Sequence, residues 1–299
     1  IFTQHDHLYN TVQYNVLNEH KCEKILYLLF CEAKAKLGLI AGLKDGVLTS
    51  PFSAPFGGFS SNKNSVRVEV LYEAIQLLDN YAKQNGISAV KFILSPYFYN
   101  EDLWAKTHYS LNINGYTAIK DINYHLNSSD FPIYKENKIS KRTKEYIDKA
   151  ISHGLIFKQV TNDHDKRTAF KIIKDNRDRK DRPMYIDYNY ILEVSKIIPI
   201  DFFLILDQNI PIASAIAYHI SKHVLQIVFW GNVCDHDTQI RPMYFLAFKL
   251  FEFYHTQQFK TIDLTTGSVN GVPNFGLCHF KENIGCTAGL KLIMQKSFL

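Results

Sequence analysis

Phe202-Phe-Leu-Ile-Leu-Asp-Gln-Asn-Ile-Pro-Ile-Ala-Ser-Ala-Ile-Ala-Tyr-His-Ile220 reads as two strands around a turn. Phe202–Leu206 is a short apolar run, Asp207-Gln208-Asn209 are turn formers, and Ile210–Ile220 is apolar again. Working outward, Val224–Trp230 makes a third strand. In Met243–His255 the residues Tyr244, Leu246, Ala247, Leu250, Phe251 and Tyr254 recur at helical spacing, and Lys260–Leu264 is strand text once more. The order is meander, helix, strand.

The first half of the chain repeats that order. Lys24–Phe30 is a short apolar run, and Leu37–Ala41 and Gly46–Leu48 flank the turn-prone Lys44-Asp45-Gly46. Ser50–Phe59, rich in Pro and Gly, reads as a loop. Val70, Leu71, Ala74, Ile75, Leu78 and Tyr81 then mark a helix stopped by Asn85-Gly86, and Ala89–Leu94 reads as a buried strand. No obvious residue identity links the halves. Two similarly built α+β domains, 1–132 and 133–299, are the simplest account, each a mixed, mostly antiparallel sheet flanked by helices.

Composition bounds the function. With 46% hydrophobic and 21% charged residues, the 299-residue chain is expected to pack a core. Its longest apolar stretches fall far short of the ~20 residues of a membrane-spanning helix. Five scattered cysteines without a C-x-x-C pair argue against a disulfide framework or a zinc finger and fit a reducing compartment. No basic-then-apolar signal segment stands at Ile1, though a processed or trimmed N-terminus would look the same; the expectation is a cytoplasmic protein, either free or at the inner face of the membrane.

The net charge of +5 is too small to announce a DNA binder, and it is concentrated. Lys135–Arg182 holds 15 Lys or Arg against 8 Asp or Glu, a local excess of 15 − 8 = 7. Either it is a solvated helical connection, with Ile139–Gly154 as one helix, or it is a basic rim that steers an anionic substrate.

Nucleotide-loop, nucleophile-elbow and zinc-helix motifs are all absent. The histidines pair at metal-ligand spacing only loosely, as His219/His223 and His5/His7, the first of which reads as two surface residues, and Cys278-His279 would point to opposite faces of a strand. Chemistry concentrates in Lys260-Thr-Ile-Asp-Leu-Thr-Thr-Gly-Ser268 and Asn274-Phe-Gly-Leu-Cys-His-Phe-Lys-Glu-Asn-Ile-Gly285. A strand ending near Asp263, followed by a Thr/Gly loop with Gly267, puts polar groups at a carboxyl end, where α/β sheets build ligand crevices. Lys281 then has two readings: an ammonium beside a developing oxyanion, or an ordinary surface lysine. Asp263 either orients an attacking amine or caps the strand end.

Gly276-Leu-x-x-Phe280-Lys281-x-x-x-Gly285, preceded by Ile262-Asp263…Gly267, resembles the closing motif of the FemAB/FemX family. Those proteins are tandem GNAT-fold (acyl-CoA N-acyltransferase-like) peptidyltransferases. Gly115-Tyr116 with Ile119–Leu126, Ser140-Lys-Arg-Thr…Gly154 (one place out of register), and Pro242 opening a helix resemble the family in the same order. The resemblance implies two tandem GNAT-like domains, Lys281 as the oxyanion-stabilising lysine, and Phe280 as its neighbour in an acyl pocket. It also implies direct attack by an amine on an activated acyl ester, which needs no side-chain nucleophile.

Departures accompany it. Asp235–Pro242, where GNAT acetyltransferases place a glycine-bearing pyrophosphate loop, has no glycine; Arg241 there is either a phosphate contact or a surface residue at a helix start. Ala54-Pro-Phe-Gly-Gly-Phe59 is either a structural loop or an acceptor-binding loop. The heptad-bearing insertion of members that use aminoacyl-tRNA is missing.

The expected function is transfer of an acyl or aminoacyl group to an amine or hydroxyl of a cell-envelope or polysaccharide precursor. Lys281 and Asp263 are the catalytic candidates, and Phe280, Phe275, Arg241, Tyr185, Tyr244 and Gly267 the substrate-binding ones. No metal and no tightly bound cofactor is implied; acyl-CoA or charged tRNA is the donor, and a small or nucleotide-linked molecule the acceptor. Two rivals stand beside it: a catalytically silent GNAT-like binding module, and an RNA-binding protein using the basic segment.

Overall fold

The structure, a computed structural model, describes residues 5–31, 35–61, 65–133, 139–233, 240–257 and 259–298. Contacts divide the chain into two units. One comprises Ile1–Asn123, Ser268–Pro273 and Gly289–Leu299, the other Tyr124–Gly267 and Asn274–Ala288. The first crossing, at Asn123/Tyr124, precedes the 132/133 boundary read from the sequence, and the later crossings have no counterpart in that reading.

In the first unit β1 (Lys24–Cys31) and β2 (Ala35–Lys44) pair antiparallel, and β2 turns into β3 (Val47–Ser50) at Asp45-Gly46. Both turn residues have positive φ, 49° and 73°, as a tight hairpin requires. Helix α2 (Val68–Gln84), which follows the short α1 (Val12–Leu17), then returns the chain to β5 (Ala89–Ile93), parallel to β3. Two-residue β4 (Phe59–Ser60) pairs with β2. Leu71, Ala74, Ile75, Leu78 and Ala82 are the buried face of α2, packed over Leu37, Leu39, Leu48 and Phe92. The spacing of those apolar residues is the reason the segment is a helix and the reason it lies on the sheet.

The unit is completed by α3 (Glu101–Ile113), β6 (Thr117–Asn127) as far as Asn123, and pieces from the end of the chain: the hairpin β12 (Ser268–Val269)–β13 (Val272–Pro273) and β14 (Thr287–Ser297) from Gly289 on. β14 pairs antiparallel with β5, Ile293 opposite Ile93. Its attachment is also ionic. Lys296 on β14 donates to the carboxylate of buried Asp79 on α2 (2.5 Å) and to the Asn114 carbonyl (2.6 Å), and Tyr116 donates its hydroxyl to the same carboxylate (2.7 Å). Burial and the Asp79 charge push the Tyr116 phenol well above its usual range, so it stays a donor.

In the second unit α4 (Lys141–His153) has its N-terminus capped by Ser140 and its end at Gly154, φ 88°. β7 (Ile156–Val160), α5 (Asp163–Asp178) and α6 (Tyr188–Ser195) lead to the meander β8 (Ile200–Asp207), β9 (Ile210–Tyr218) and β10 (Val224–Asn232). Gln208 and Asn209 form its first turn with φ 47° and 67°. α7 (Pro242–His255) follows, then β11 (Thr261–Thr266), which runs parallel to β10, and α8 (Phe275–Asn283). Residues 212–218 of β9 are all buried, so both faces of that strand are covered.

Each unit therefore carries a three-strand meander, a helix, and a strand parallel to the last of the three. This is the order read from the sequence, in an α+β fold whose sheets are mixed and mostly antiparallel.

Replacing Asp79 by Ala leaves the Lys296 ammonium and the Tyr116 hydroxyl without their shared acceptor. Urea unfolding is expected to show a loss of about 2–4 kcal/mol, and hydrogen exchange should place the first loosening at β14.

Candidate functional site

Parallel pairing of β10 with β11 sets Gln226 beside Asp263. Asp263 is fully buried and both its oxygens are taken: Gln226 donates from Nε2 (2.7 Å) and the Thr265 backbone from N (2.8 Å). That second bond bends the strand end. Thr265 has φ 64°, a left-handed conformation that costs a β-branched residue of order 1–3 kcal/mol, and such strain persists where surrounding contacts enforce it.

Lys281 is the other enforcing contact. It sits in the last turn of α8, 1% exposed, and donates from Nζ to the carbonyls of Thr265 (3.0 Å) and Thr266 (2.9 Å). It is not a surface lysine. Its ammonium lies 5.6 Å from the centre of the Tyr124 ring, and Tyr124 donates its hydroxyl to Glu282 (2.7 Å). Burial pulls the Lys281 pKa down to about 8, against the opposing pull of Cys286, Asp263 and Cys278. Desolvation likewise pushes the Cys286 thiol up to about 12, against the lowering pull of Lys281.

Gly267 belongs to this cluster for a packing reason. A Cβ there would lie 2.7 Å from the Cys278 sulfur and 2.8 Å from Cε2 of Tyr124. Its carbonyl accepts from Asn274 N (2.9 Å) and from the Cys278 thiol (3.3 Å), while the Asn274 side chain caps α8 at Leu277 N. Cys278 and His279 are on a helix rather than a strand, and they differ in burial: the thiol is inside, the imidazole outside.

Phe280, one place before the lysine, points into a second group. Its ring meets Trp230 of β10 (5.4 Å) and Tyr244 of α7 (5.2 Å), both edge-on, and Tyr244 meets Tyr146 of α4 (5.2 Å). All four rings are half-exposed. The guanidiniums of Arg241 and Arg142 both lie over Tyr146, at 5.5 and 5.6 Å. Arg241 is exposed and left-handed (φ 51°) immediately before Pro242. Most of the glycine-free stretch before it, residues 235–239, lies outside the described residues, as does Cys234.

Lys281, Asp263 and Gly267 thus meet at the carboxyl end of β11, and Phe280, Tyr244 and Arg241 form an aromatic and cationic rim. Phe275 (67% exposed) and Tyr185 (93% exposed) join neither group. Among the described residues no cluster of His, Cys, Asp or Glu is arranged to hold a metal, and no helix is long and apolar enough to cross a membrane.

This arrangement of strands and helices has known counterparts. The crystal structure of FemX superposes with a TM-score of 0.67 over 97% of this chain and 93% of that one, at 10% sequence identity. The fold is that of FemX. An L-PGS from Bacillus licheniformis shares it at a TM-score of 0.59 and 14% identity (90% of this chain, 83% of that one). A tandem GNAT protein from the clavulanic acid biosynthesis pathway does so at 0.52 and 7% (89% and 80%). No model of a known family and no curated protein matches the sequence.

Within the FemX-like fold, sequence reading had missed Gln226, Trp230, Tyr124, Tyr146 and Arg142. Gln226 alone had a signal, as a lone amide inside Val224-Leu-Gln-Ile-Val228.

Gly267→Ala is expected to lower stability by about 1–3 kcal/mol through overpacking. Pairing it with Cys278→Ala should recover part of that loss, a non-additivity that a double-mutant thermal-melt cycle measures.

Proposed function

We propose that the second unit transfers an activated acyl or aminoacyl group to an amine or hydroxyl of a cell-envelope or polysaccharide precursor. The carrying observation is the buried Lys281 cation at the strained end of β11. An ammonium taken out of water exerts a stronger field than one in solvent, which is what stabilising a tetrahedral oxyanion asks for. Lys281 also acts through the backbone. In a trans peptide the carbonyl and the following N–H point in opposite directions, so drawing the Thr265 and Thr266 carbonyls inward turns the Thr266 and Gly267 amides away from the lysine. Asp263 is a positioning residue in this reading, since both its oxygens serve the scaffold.

The half-exposed rings of Phe280, Trp230 and Tyr244 supply an apolar wall for the acyl part, and Arg241 with Arg142 a contact for donor phosphate, in acyl-CoA or charged tRNA alike. The fold shared with FemX and an L-PGS supports aminoacyl transfer as the first chemistry to try.

A second reading has its own observation. Two of the three Lys281 N–H donors are spent on protein carbonyls, as in a structural strut, which suits a binding module without turnover.

Mass spectrometry of envelope-precursor acceptors incubated with charged tRNAs or acyl-CoAs separates the two. Under the transferase reading Lys281→Met lowers kcat by about 100-fold or more, and Phe280→Ala chiefly raises KM for the donor. Activity falls as the pH is raised through about 8, because the charged form that stabilises the oxyanion is then lost. Ligand-induced rises in melting temperature without product would favour the module.

A further inference from the structure

In the first unit β5 is the strand parallel to the meander, and a pocket of about 30 Å³ opens at its carboxyl end. The matching place in the second unit, the end of β11, holds the Lys281 cluster. Strand ends of this kind are where such sheets gather ligands. Four segments build the pocket. Leu94 and Ser95 continue β5. Gly57 and Gly58 lie beside them: Gly57 donates its amide to the Ile93 carbonyl (2.9 Å), and Gly58 has φ 121°, which only glycine adopts freely. Asn100 caps α3 at Leu103 N (3.1 Å) and donates from Nδ2 to Asp6 (3.1 Å), which ties the segment carrying Asp6 and His7 to that helix.

The polar side chains lining this pocket are not all satisfied. His7 Nδ1 and Trp104 Nε1 are buried and have no hydrogen-bond partner among the described residues. Buried polar groups are nearly always paired, with a ligand or water where the protein supplies nothing. Asp6 accepts from Asn100 through one oxygen, and among the described residues its other oxygen has no donor. Burial raises the Asp6 pKa, against the Asn100 amide and the His5 charge. Burial, helped by His5, pulls the His7 pKa down to about 3, so its imidazole is neutral at pH 7. No lysine or arginine stands among the described residues that line the pocket.

We propose that this pocket binds two adjacent hydroxyls of a neutral sugar or polyol. The inference is independent of the transferase reading. Charge and hydrogen-bonding capacity select the ligand. A carboxylate or phosphate would meet the Asp6 carboxylate with no cation to offset the repulsion. An ammonium would satisfy Asp6 but offers no acceptor to the Trp104 indole N–H. A hydroxyl both donates and accepts, so one pair of them serves the carboxylate, the indole and the neutral imidazole together. A volume of about 30 Å³ holds roughly two water-sized groups, the size of two neighbouring hydroxyls. Phe59, Leu94 and Leu103 supply an apolar wall that suits the C–H face of a ring.

Tryptophan resonances of the full chain test this. The sequence has two, Trp104 and Trp230, so a ¹⁵N-labelled sample shows two indole N–H signals, and Trp104→Phe identifies the first. Titration with methyl glucoside, N-acetylglucosamine or myo-inositol is expected to shift the Trp104 signal saturably with at least one of them and to leave the Trp230 signal in place. Methylammonium, acetate and acetamide, titrated separately, are expected to leave both unmoved. Asp6→Asn should weaken binding of the active polyol by about 10-fold or more. Trp104→Phe, which keeps a ring and loses the donor, should weaken it by about fivefold, read by calorimetry. Melting near that of the wild type shows that each variant is folded. A Trp104 signal that none of the three polyols moves, one that acetamide or methylammonium moves instead, or equal polyol affinity in both folded variants overturns the proposal.

Discussion

A lysine ammonium removed from water needs oxygen around it, and in the second unit those oxygens are two consecutive backbone carbonyls. Lys281 can reach them only if α8 returns against the end of β11, if Thr265 turns left-handed, and if residue 267 has no side chain. Asp263 holds the same turn from the strand side through Thr265 N. The cost of burying the cation and straining a threonine is thus spread over a small set of contacts that specify one loop geometry. The polar cluster at the end of β11 follows from it.

The first unit spends its buried charge differently. Asp79, Lys296 and Tyr116 form a closed group that fastens the last strand to α2 and to the start of β6. No residue of that group sits at the end of a parallel strand pair. The two units share a strand order, yet among the described residues only the second packs a buried lysine against the carboxyl end of its parallel strand. Similar topology with different placement of one charged side chain is enough to give a scaffold in one case and a candidate site in the other.

The aromatic rim shows how such a site acquires shape. Phe280, Trp230, Tyr244 and Tyr146 come from α8, β10, α7 and α4, four elements spread over more than half of the second unit's sequence. Edge-on contacts at 5.2–5.4 Å place Phe280 between a strand and a helix, so its orientation is set by packing rather than by its neighbours in the chain. Two guanidiniums over one tyrosine add positive charge at the same rim.

Periodicity, turn chemistry and caps were enough to read the repeated meander, helix and strand, because each of those signals acts within a few residues: Asp45-Gly46, Gln208-Asn209, Gly154, and the stripe from Leu71 to Ala82. The motif around Phe280 and Lys281 was legible for the same reason, being local. What the sequence alone did not determine is everything carried by contacts between distant segments. The chain re-enters the first unit after Gly267, Asp263 meets Gln226 across a parallel ladder, and Tyr185 and Phe275 stay in solvent while Trp230 and Tyr146 join the rim. Whether Lys281 would be a surface side chain or a buried cation was likewise decided only by folding. Burial and the low dielectric that shifts a pKa come from residues brought together in space, and spacing along the chain does not encode them.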